Sequence, residues 1–182
     1  MRPWLPIQTL NDDSDDFLNV AWKSSKGAHM IGILERLGVP RSLMLGFLAV
    51  AIFMTGDGFE LTFLSKFMVD QGFASSQASL LVTIYGLFAA LGGWSAGVLA
   101  EMFGARRVML FGACWWIGIH LLFLGVAIPS HVYLLILGLY ALRGIGYPLF
   151  IYSFVVLMAQ YISPARLASA TGFFWTCFSL GI

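Results

Sequence analysis

The sequence has few charged residues, few histidines and few cysteines. Only 10% of the residues are charged and 59% are hydrophobic, whereas a soluble domain has about 25% charged residues. A net charge of +1 gives no basis for nucleic-acid binding. Cys114 and Cys177 form no CxxC pair and the three histidines are scattered, so neither a disulfide framework nor a metal or other cofactor is predicted. A mean hydropathy of +0.86 instead indicates a membrane protein.

The first forty residues differ from the rest of the chain because they are polar and irregular. An acidic cluster at positions 12–16 and the lack of an early apolar core argue against a signal peptide. Apolar residues at 30, 33, 34 and 37 predict a short amphipathic helix on the membrane surface, which Pro40 stops. We therefore expect 1–40 to be an N-terminal segment preceding a helical bundle in 41–182, with Met1 and Met30 as alternative start positions.

Five apolar runs follow, at 42–65, 76–99, 108–128, 131–161 and from about 168 onward. The first is about 35 Å long as a helix, enough to cross a hydrocarbon core of ~30 Å. Ala89, Gly93 and Gly97 in the second run are predicted to let a neighbouring helix approach closely. The fold class expected is an all-α membrane protein with four complete transmembrane helices and a truncated fifth, which would make the chain a fragment of a longer protein.

The basic residues predict the orientation in the membrane. Five arginines fall in the amino-terminal segment and in alternate loops, while the opposite loops contain only Lys66 together with Asp70. Cytoplasmic loops carry the excess of basic residues. The amino terminus and the loops after the second and fourth spans are therefore expected in the cytoplasm.

Two carboxylates lie inside the first span. Asp57 and Glu60 are three residues apart, on one helical face, with glycines at 56 and 58 beside them. A charged side chain at that depth costs roughly 2.5 to 3.5 kcal/mol, so it needs a partner, a proton or a water-filled cavity. This pattern predicts a substrate or proton site in a membrane carrier.

The fourth span contains Arg143. By helix rise, Asp57 is about 14 Å from the outer end of its span and Arg143 about 18 Å, whereas Glu60 is about 9 Å from that end. We therefore expect Asp57, rather than Glu60, to be the better partner of Arg143. A functional pair and a purely structural ion pair are both compatible with this pattern.

Aromatic residues supply further candidates for the site. Tyr147 is one turn beyond Arg143, and Tyr85 lies in the second span, so each could present a hydroxyl to a polar solute. Packing against lipid or other helices is the alternative for each of them. Trp116 and His120 share a face of the third span and are interpreted mainly as packing residues.

The loop after the second span has the most specific pattern, GVLAEMFGARR at 97–107. It resembles the signature loop of the major facilitator superfamily, although Glu101 stands where aspartate is usual. The resemblance implies a cytoplasmic gate formed by Gly97, Glu101, Gly104, Arg106 and Arg107. Topological anchoring is the alternative for the two arginines.

Three sequence segments indicate one group within that superfamily: FMTGDGFELTFLS, YGLFAALGGWSAGVLAE and RGIGYPLFIYSF. They are similar to the polyol permeases of that superfamily, which import ribitol or arabinitol with protons. The resemblance covers about 40–182 and implies the amino-terminal part of a twelve-helix carrier in the bacterial inner membrane. It also implies that Asp57 and Glu60 bind protons and hydroxyl groups, with the proton as coupling ion and an absent carboxyl-terminal half as partner.

The function predicted is therefore secondary active import of a small polyol or sugar, coupled to protons and driven by alternating access. One alternative is an organic-anion carrier, in which Arg143 attracts a carboxylate. Another is a half-carrier that does not transport by itself. An intramembrane aspartyl protease is disfavoured because position 54 is methionine where such enzymes need glycine, and spans two to four contain no second aspartate. We expect the protein not to be an enzyme.

Overall fold

The computed structural model describes residues 39–180, which form five helices joined by short connections. Helix α1 is Arg41–Asp70 and α2 is Ser75–Phe103. Helix α3 is Ala105–Leu122 and continues through a π-helical segment, Phe123–Ala127, into a last turn, Ile128–Ser130. Helix α4 is Tyr133–Tyr161 and α5 is Pro164–Ser179. No strand occurs within 39–180.

Four of these helical stretches are long and apolar enough to cross a membrane: Arg41–Asp70, Ser75–Phe103, Ala105–Ser130 and Tyr133–Tyr161. The predicted number and order of complete spans are confirmed. The first three helices run one to five residues past the apolar runs at either end, whereas the fourth begins two residues after the start of its run and ends with it. The third stretch continues through the π-helical segment to Ser130, two residues beyond the apolar run 108–128. The fifth helix begins at Pro164, because proline is well suited to a first helical turn.

The connections between helices are short enough to require unusual backbone angles. A single residue, Gly104, joins α2 to α3 with φ 88° and ψ 133°, a conformation that only glycine adopts easily. Gly72 has φ 92° after α1. His131 has φ 53° between α3 and α4. Consecutive helices therefore run antiparallel, as spans joined by tight turns must.

Apolar side chains pack in two large clusters toward opposite ends of the bundle. At one end the first half of α1 packs against the end of α4 and against α5, through Leu43, Phe47, Val50, Phe154, Met158 and Phe174. At the other end the second half of α1 packs against α2, the π-helical segment and the start of α4, through Leu64, Met68, Leu81, Phe123, Ile136 and Tyr140. Asp57 lies between the two clusters along α1.

Glycines bring α4 into close contact with α2 and α3. A Cβ atom at Gly144 would lie 2.6 Å from the backbone oxygen of Tyr85, and one at Gly92 would lie 2.8 Å from that of Ile145. On the other side of α4, a Cβ atom at Gly146 would lie 2.9 Å from the backbone oxygen of Gly112. Such approach is how helices pack where lipid provides no hydrophobic drive. It fixes α4 between its two neighbours.

Two expectations about small and amphipathic segments have different outcomes. Of the predicted positions in α2, Gly93 is approached by Tyr152 and Pro148 of α4, whereas Gly97 has open space around it; the tightest contact is at Gly92, which was not predicted. The amphipathic helix expected near 30–37 and the segment 1–38 lie outside the described residues, and the prediction for them stands as made.

Candidate functional site

Arg143 lies at the centre of the bundle and is fully buried. Its Nη2 donates a hydrogen bond of 2.8 Å to Oδ1 of Asp57, and its Nη1 donates to Oε1 of Glu60. The two carboxylates come from successive turns of α1, which places both in reach of one guanidinium group. Asp57, Glu60 and Arg143 are called the ion cluster below. Arg143 therefore joins α4 to α1 through two charged contacts.

The expected ion pair of Asp57 and Arg143 is present at 2.8 Å, and Glu60, which was ranked behind Asp57, contacts the same guanidinium group. Depth had been counted along the helix axis, on which Glu60 is about 4.5 Å further out than Asp57. The guanidinium group, however, offers several donors at the end of a long side chain, and these span the two positions. Both acids are partners.

Tyr85 of α2 supports the inner carboxylate. Its hydroxyl donates to Oδ1 of Asp57 over 3.2 Å, and its ring lies 4.8 Å from that of Tyr140 in α4. The close contact at Gly144 holds α4 against the backbone of Tyr85, so the hydroxyl is positioned by the same helix that carries Arg143. The structure thus brings together four of the predicted site residues: Asp57, Glu60, Tyr85 and Arg143.

Two residues of α3 that were interpreted as packing residues also contact the ion cluster. The guanidinium carbon of Arg143 is 4.3 Å from the centroid of the Trp116 ring, a distance typical of a cation–π contact. Nδ1 of His120 is 3.6 Å from Oε2 of Glu60, and the His120 ring stacks on Trp116 with centroids 4.9 Å apart. The available signal was their four-residue spacing, which puts an ionisable residue and an aromatic residue on one helical face.

Four buried polar groups at the ion cluster have no hydrogen-bond partner among the described residues. These are Nε of Arg143, Nε1 of Trp116, Nδ1 of His120 and the hydroxyl of Tyr140. A buried polar group without a hydrogen bond costs roughly 1 to 3 kcal/mol, so such groups are uncommon unless they serve a ligand or water. The donors are next to the two carboxylates, and together they form a polar site with both donor and acceptor groups.

An aromatic layer lies next to the ion cluster, about one turn toward the amino terminus of α1. Phe53 packs against Trp116 with ring centroids 4.7 Å apart, against Phe150 at 4.9 Å and against Tyr147 at 6.3 Å. Tyr147 is therefore in this layer, and none of its described contacts is with Arg143. It also lines a shallow groove of about 510 Å³ with Gly86, Ala89, Ala90 and Gly93 of α2.

The five residues of the predicted gate lie at the connection between α2 and α3, and none of them belongs to the ion cluster. Gly97 and Glu101 are in the last two turns of α2, Gly104 makes the connection, and Arg106 and Arg107 are in the first turn of α3. Within 39–180 none of the three charged side chains has a hydrogen bond or ion pair, and all three are exposed. Their role in a gate stays a prediction.

Four apolar helices around a buried ion cluster define a multi-pass membrane protein with a polar site in its interior. Comparison with known proteins agrees with that class. A sequence model of the Major Facilitator Superfamily matches residues 32–182, and the chain belongs to this family.

Curated relatives are named as transporters. The chain is 46% identical over 145 residues to the ribitol transporter of Klebsiella pneumoniae and 44% identical over 146 residues to the D-arabinitol transporter of the same organism, each match covering 80% of this chain. It is 40% identical over 150 residues, 82% of the chain, to the alpha-ketoglutarate permease of Bacillus subtilis (strain 168). The matched part spans 34% of each of these relatives. No solved structure matches the chain.

The family and these relatives are transporters, not enzymes. The expectation that the protein is not an enzyme is confirmed.

Proposed function

We propose that this chain supplies part of the substrate pathway of a carrier that imports a small polyol together with a proton by alternating access. The observation that carries the proposal is the buried Arg143 shared by two carboxylates, with further hydrogen-bond donors beside it. The relatives named for ribitol and D-arabinitol agree with a polyhydroxy substrate. A polyol suits such a site because each of its hydroxyl groups both donates and accepts hydrogen bonds.

The charge of the ion cluster supports proton coupling. One guanidinium group faces two carboxylates, which leaves one excess negative charge when all three are ionised and His120 is neutral. Net charge in a membrane interior is costly, so a proton that neutralises one carboxylate would stabilise the cluster. Neutralisation would also loosen one of the two contacts of Arg143 and leave its donors to a hydroxyl group.

Transport would follow from binding energy that differs between two conformations of the whole carrier. Proton and polyol would together satisfy the ion cluster, after which the helices described here would rock against the remainder of the protein and open the site to the cytoplasm. One proton moving through 100 mV supplies ~2.3 kcal/mol, or about fifty-fold accumulation of a neutral solute. A driving force of that size suits concentrative uptake.

The cellular setting proposed is the bacterial inner membrane with the amino terminus in the cytoplasm, as the distribution of arginines predicts. The connection between α2 and α3 would then face the cytoplasm and act in the gate. Glu101 is at the carboxyl end of α2, and Arg106 and Arg107 are at the amino end of α3, so each charge opposes the dipole of its own helix. A partner of opposite charge in the closed gate would relieve that opposition.

The organic-anion carrier remains the second candidate because a relative is named alpha-ketoglutarate permease. The charge balance of the site counts against it, since Arg143 is already opposed by two carboxylates. A dicarboxylate would add two negative charges to a site that already has one in excess. It would therefore need more protons per turnover than a polyol.

To test this proposal, the reading frame that encodes this chain is expressed in cells that lack pentitol carriers of their own. Ribitol or D-arabinitol is added to a weakly buffered suspension, and external pH is followed. Prompt alkalinisation is expected. Asp57→Asn should abolish it, because one carboxylate and one guanidinium group balance without a proton.

Asp70→Asn is the matched control. Asp70 is an exposed aspartate at the end of the same helix, paired with Lys66 at 2.7 Å and remote from the ion cluster, so this variant should alkalinise like the unaltered protein. An unchanged signal in Asp57→Asn would contradict the role of the ion cluster. A response to alpha-ketoglutarate, with none to pentitols, would replace the polyol by an organic anion.

A further inference from the structure

We infer that the coupling proton is held between the Glu60 carboxyl group and the His120 imidazole, and that Asp57 remains ionised as the fixed partner of Arg143. This inference rests on the proposed function and assigns its proton to named atoms. It gives His120 of α3 a part in coupling, although sequence reasoning interpreted it as a packing residue.

The two carboxylates of the ion cluster differ in the number of hydrogen bonds that they accept. Oδ1 of Asp57 accepts hydrogen bonds from Arg143 at 2.8 Å and from Tyr85 at 3.2 Å, and the side chain is only 4% exposed. Glu60 uses Oε1 for Arg143, while Oε2 faces Nδ1 of His120. A carboxylate that accepts several hydrogen bonds favours its ionised form, so Asp57 is the member that stays charged.

Glu60 and His120 also lie at the more open edge of the ion cluster. Their side chains are 17% and 23% exposed, whereas that of Arg143 is fully buried. A proton that enters and leaves in each cycle needs such an opening. Asp57 has no comparable opening, because its side chain is only 4% exposed and its Oδ2 faces the Tyr85 hydroxyl at 3.5 Å.

The 3.6 Å separation between Oε2 of Glu60 and Nδ1 of His120 is slightly longer than a hydrogen bond. Nδ1 is itself buried and has no hydrogen-bond partner among the described residues, which leaves it available to Glu60. With the proton on Oε2, the carboxyl group donates to Nδ1; with the proton on Nδ1, the imidazolium donates to Oε2. In either form one proton is gained from outside, and the charge of the cluster changes from one negative to zero.

The surroundings of His120 hold its ring in place for this exchange. It stacks on Trp116 with an interplanar angle of 18°, and its own carbonyl accepts the Phe123 N–H where the π-helical segment begins. Single-turn π-helical segments are frequent at functional sites. The ionisable groups that act on His120 from the other helices are Glu60 and Asp57 of α1 and Arg143 of α4. Tyr85 of α2 contacts Asp57, and Tyr140 of α4 contacts Arg143, so these two groups lie one step further away.

A proton between Glu60 and His120 has a defined effect on Arg143. The neutral carboxyl group pulls less on Nη1, while the contact of Nη2 with Asp57 is retained. Nη1 then joins Nε, which has no partner among the described residues, as a donor for a substrate hydroxyl. Proton binding thereby prepares polyol binding, which is the order that symport needs.

The experiment compares the His120→Asn and His131→Asn variants of the protein encoded by the full reading frame. Each variant is purified and reconstituted in lipid vesicles. Asparagine keeps a polar atom near the position of Nδ1 but takes up no proton. We expect His120→Asn to lower proton-driven ribitol accumulation at least tenfold further than it lowers ribitol exchange, which should be reduced but still measurable. Its residual uptake should also lose the pH dependence of the unaltered protein. His131 is exposed in the turn after α3, where asparagine tolerates the left-handed backbone, so His131→Asn should keep both activities.

Other outcomes separate the inference from the function on which it rests. If the unaltered protein exchanges ribitol but shows no proton-driven accumulation, the proposed coupling fails and the inference fails with it. If the unaltered protein is coupled and His120→Asn accumulates ribitol normally, the inference alone is overturned. If His120→Asn loses exchange as well, His120→Gln is tested. Loss of exchange in both variants, with protein present in the vesicles, would assign His120 to structure or substrate binding and would also overturn the inference.

Discussion

Substitution of Gly146 by alanine should separate α3 from α4 and destabilise the protein. A Cβ atom at Gly146 would lie 2.9 Å from the backbone oxygen of Gly112, from the backbone nitrogen of Trp116 and from the Cβ atom of Trp116. None of these atoms belongs to the far end of a flexible side chain. The added methyl group therefore fits only if one helix moves away from the other by about half an ångström, because packed interiors have few voids to absorb it.

The magnitude follows from two opposing effects. Overpacking of this kind costs typically 1 to 3 kcal/mol, while replacing a glycine by alanine inside a helix favours folding by up to ~1 kcal/mol. Gly138→Ala isolates the second effect, because Gly138 is in the same helix with open space around it. We therefore expect Gly146→Ala to be about 1 to 3 kcal/mol less stable than Gly138→Ala.

The assay is thermal unfolding of the purified full-length protein in detergent, followed by circular dichroism. One kcal/mol corresponds to roughly 2–4 °C for a chain of 150–250 residues and to less for a longer chain, so Gly146→Ala should unfold at a measurably lower Tm than Gly138→Ala. Ribitol uptake should fall in Gly146→Ala because Arg143 is three residues away on the displaced helix. Equal Tm values for the two variants would refute the proposed tight contact between α3 and α4.

Three further predictions use other contacts. Arg143→Lys should reduce ribitol uptake at least tenfold with protein still present in the membrane, because a single ammonium group cannot bridge both carboxylates and stack on Trp116; radiolabelled uptake per amount of protein measures this. Tyr85→Phe removes a 3.2 Å hydrogen bond to Asp57 and should lower stability by ~1 to 2 kcal/mol, detected as a lower Tm. Gly104→Ala should lower the free energy of unfolding by ~1 to 3 kcal/mol, because the backbone there has a φ of 88°. Gly97→Ala, at a helical position with open space around it, should leave that free energy unchanged or raise it. Wild-type stability of Gly104→Ala would argue against the single-residue connection.

The helical architecture could be predicted from the sequence because a bilayer requires long apolar segments. Helix limits were less predictable, since a helix does not end where its residues become polar. The π-helical segment after His120 had no sequence signal, because FLGVA is compatible with an ordinary α-helix.

The candidate site was predictable to the extent that charge in a membrane demands a partner. Asp57, Glu60 and Arg143 could be identified because each is costly alone. Which atoms meet depends on side-chain reach and on how helices are rotated about their axes, and neither can be obtained from counting residues. The faces of α3 and α4 are set by glycine contacts at Gly112 and Gly146, and these contacts turn His120 and Trp116 toward the ion cluster.

The two kinds of contact made by α4 differ in how they respond to a proton. Its contacts with α2 and α3 are backbone against backbone at glycines, and these do not depend on ionisation. Its contacts with α1 at the level of Asp57 and Glu60 are charged, and their strength changes with each proton gained or lost. Helix α1 also packs against α5 at one end and α2 at the other. A weaker attraction between its carboxylates and Arg143 therefore leaves the position of α1 to depend more on the packing of these two apolar clusters. Protonation therefore acts on the contacts of α1 with Arg143 of α4 and with His120 of α3, while the glycine contacts among α2, α3 and α4 stay intact.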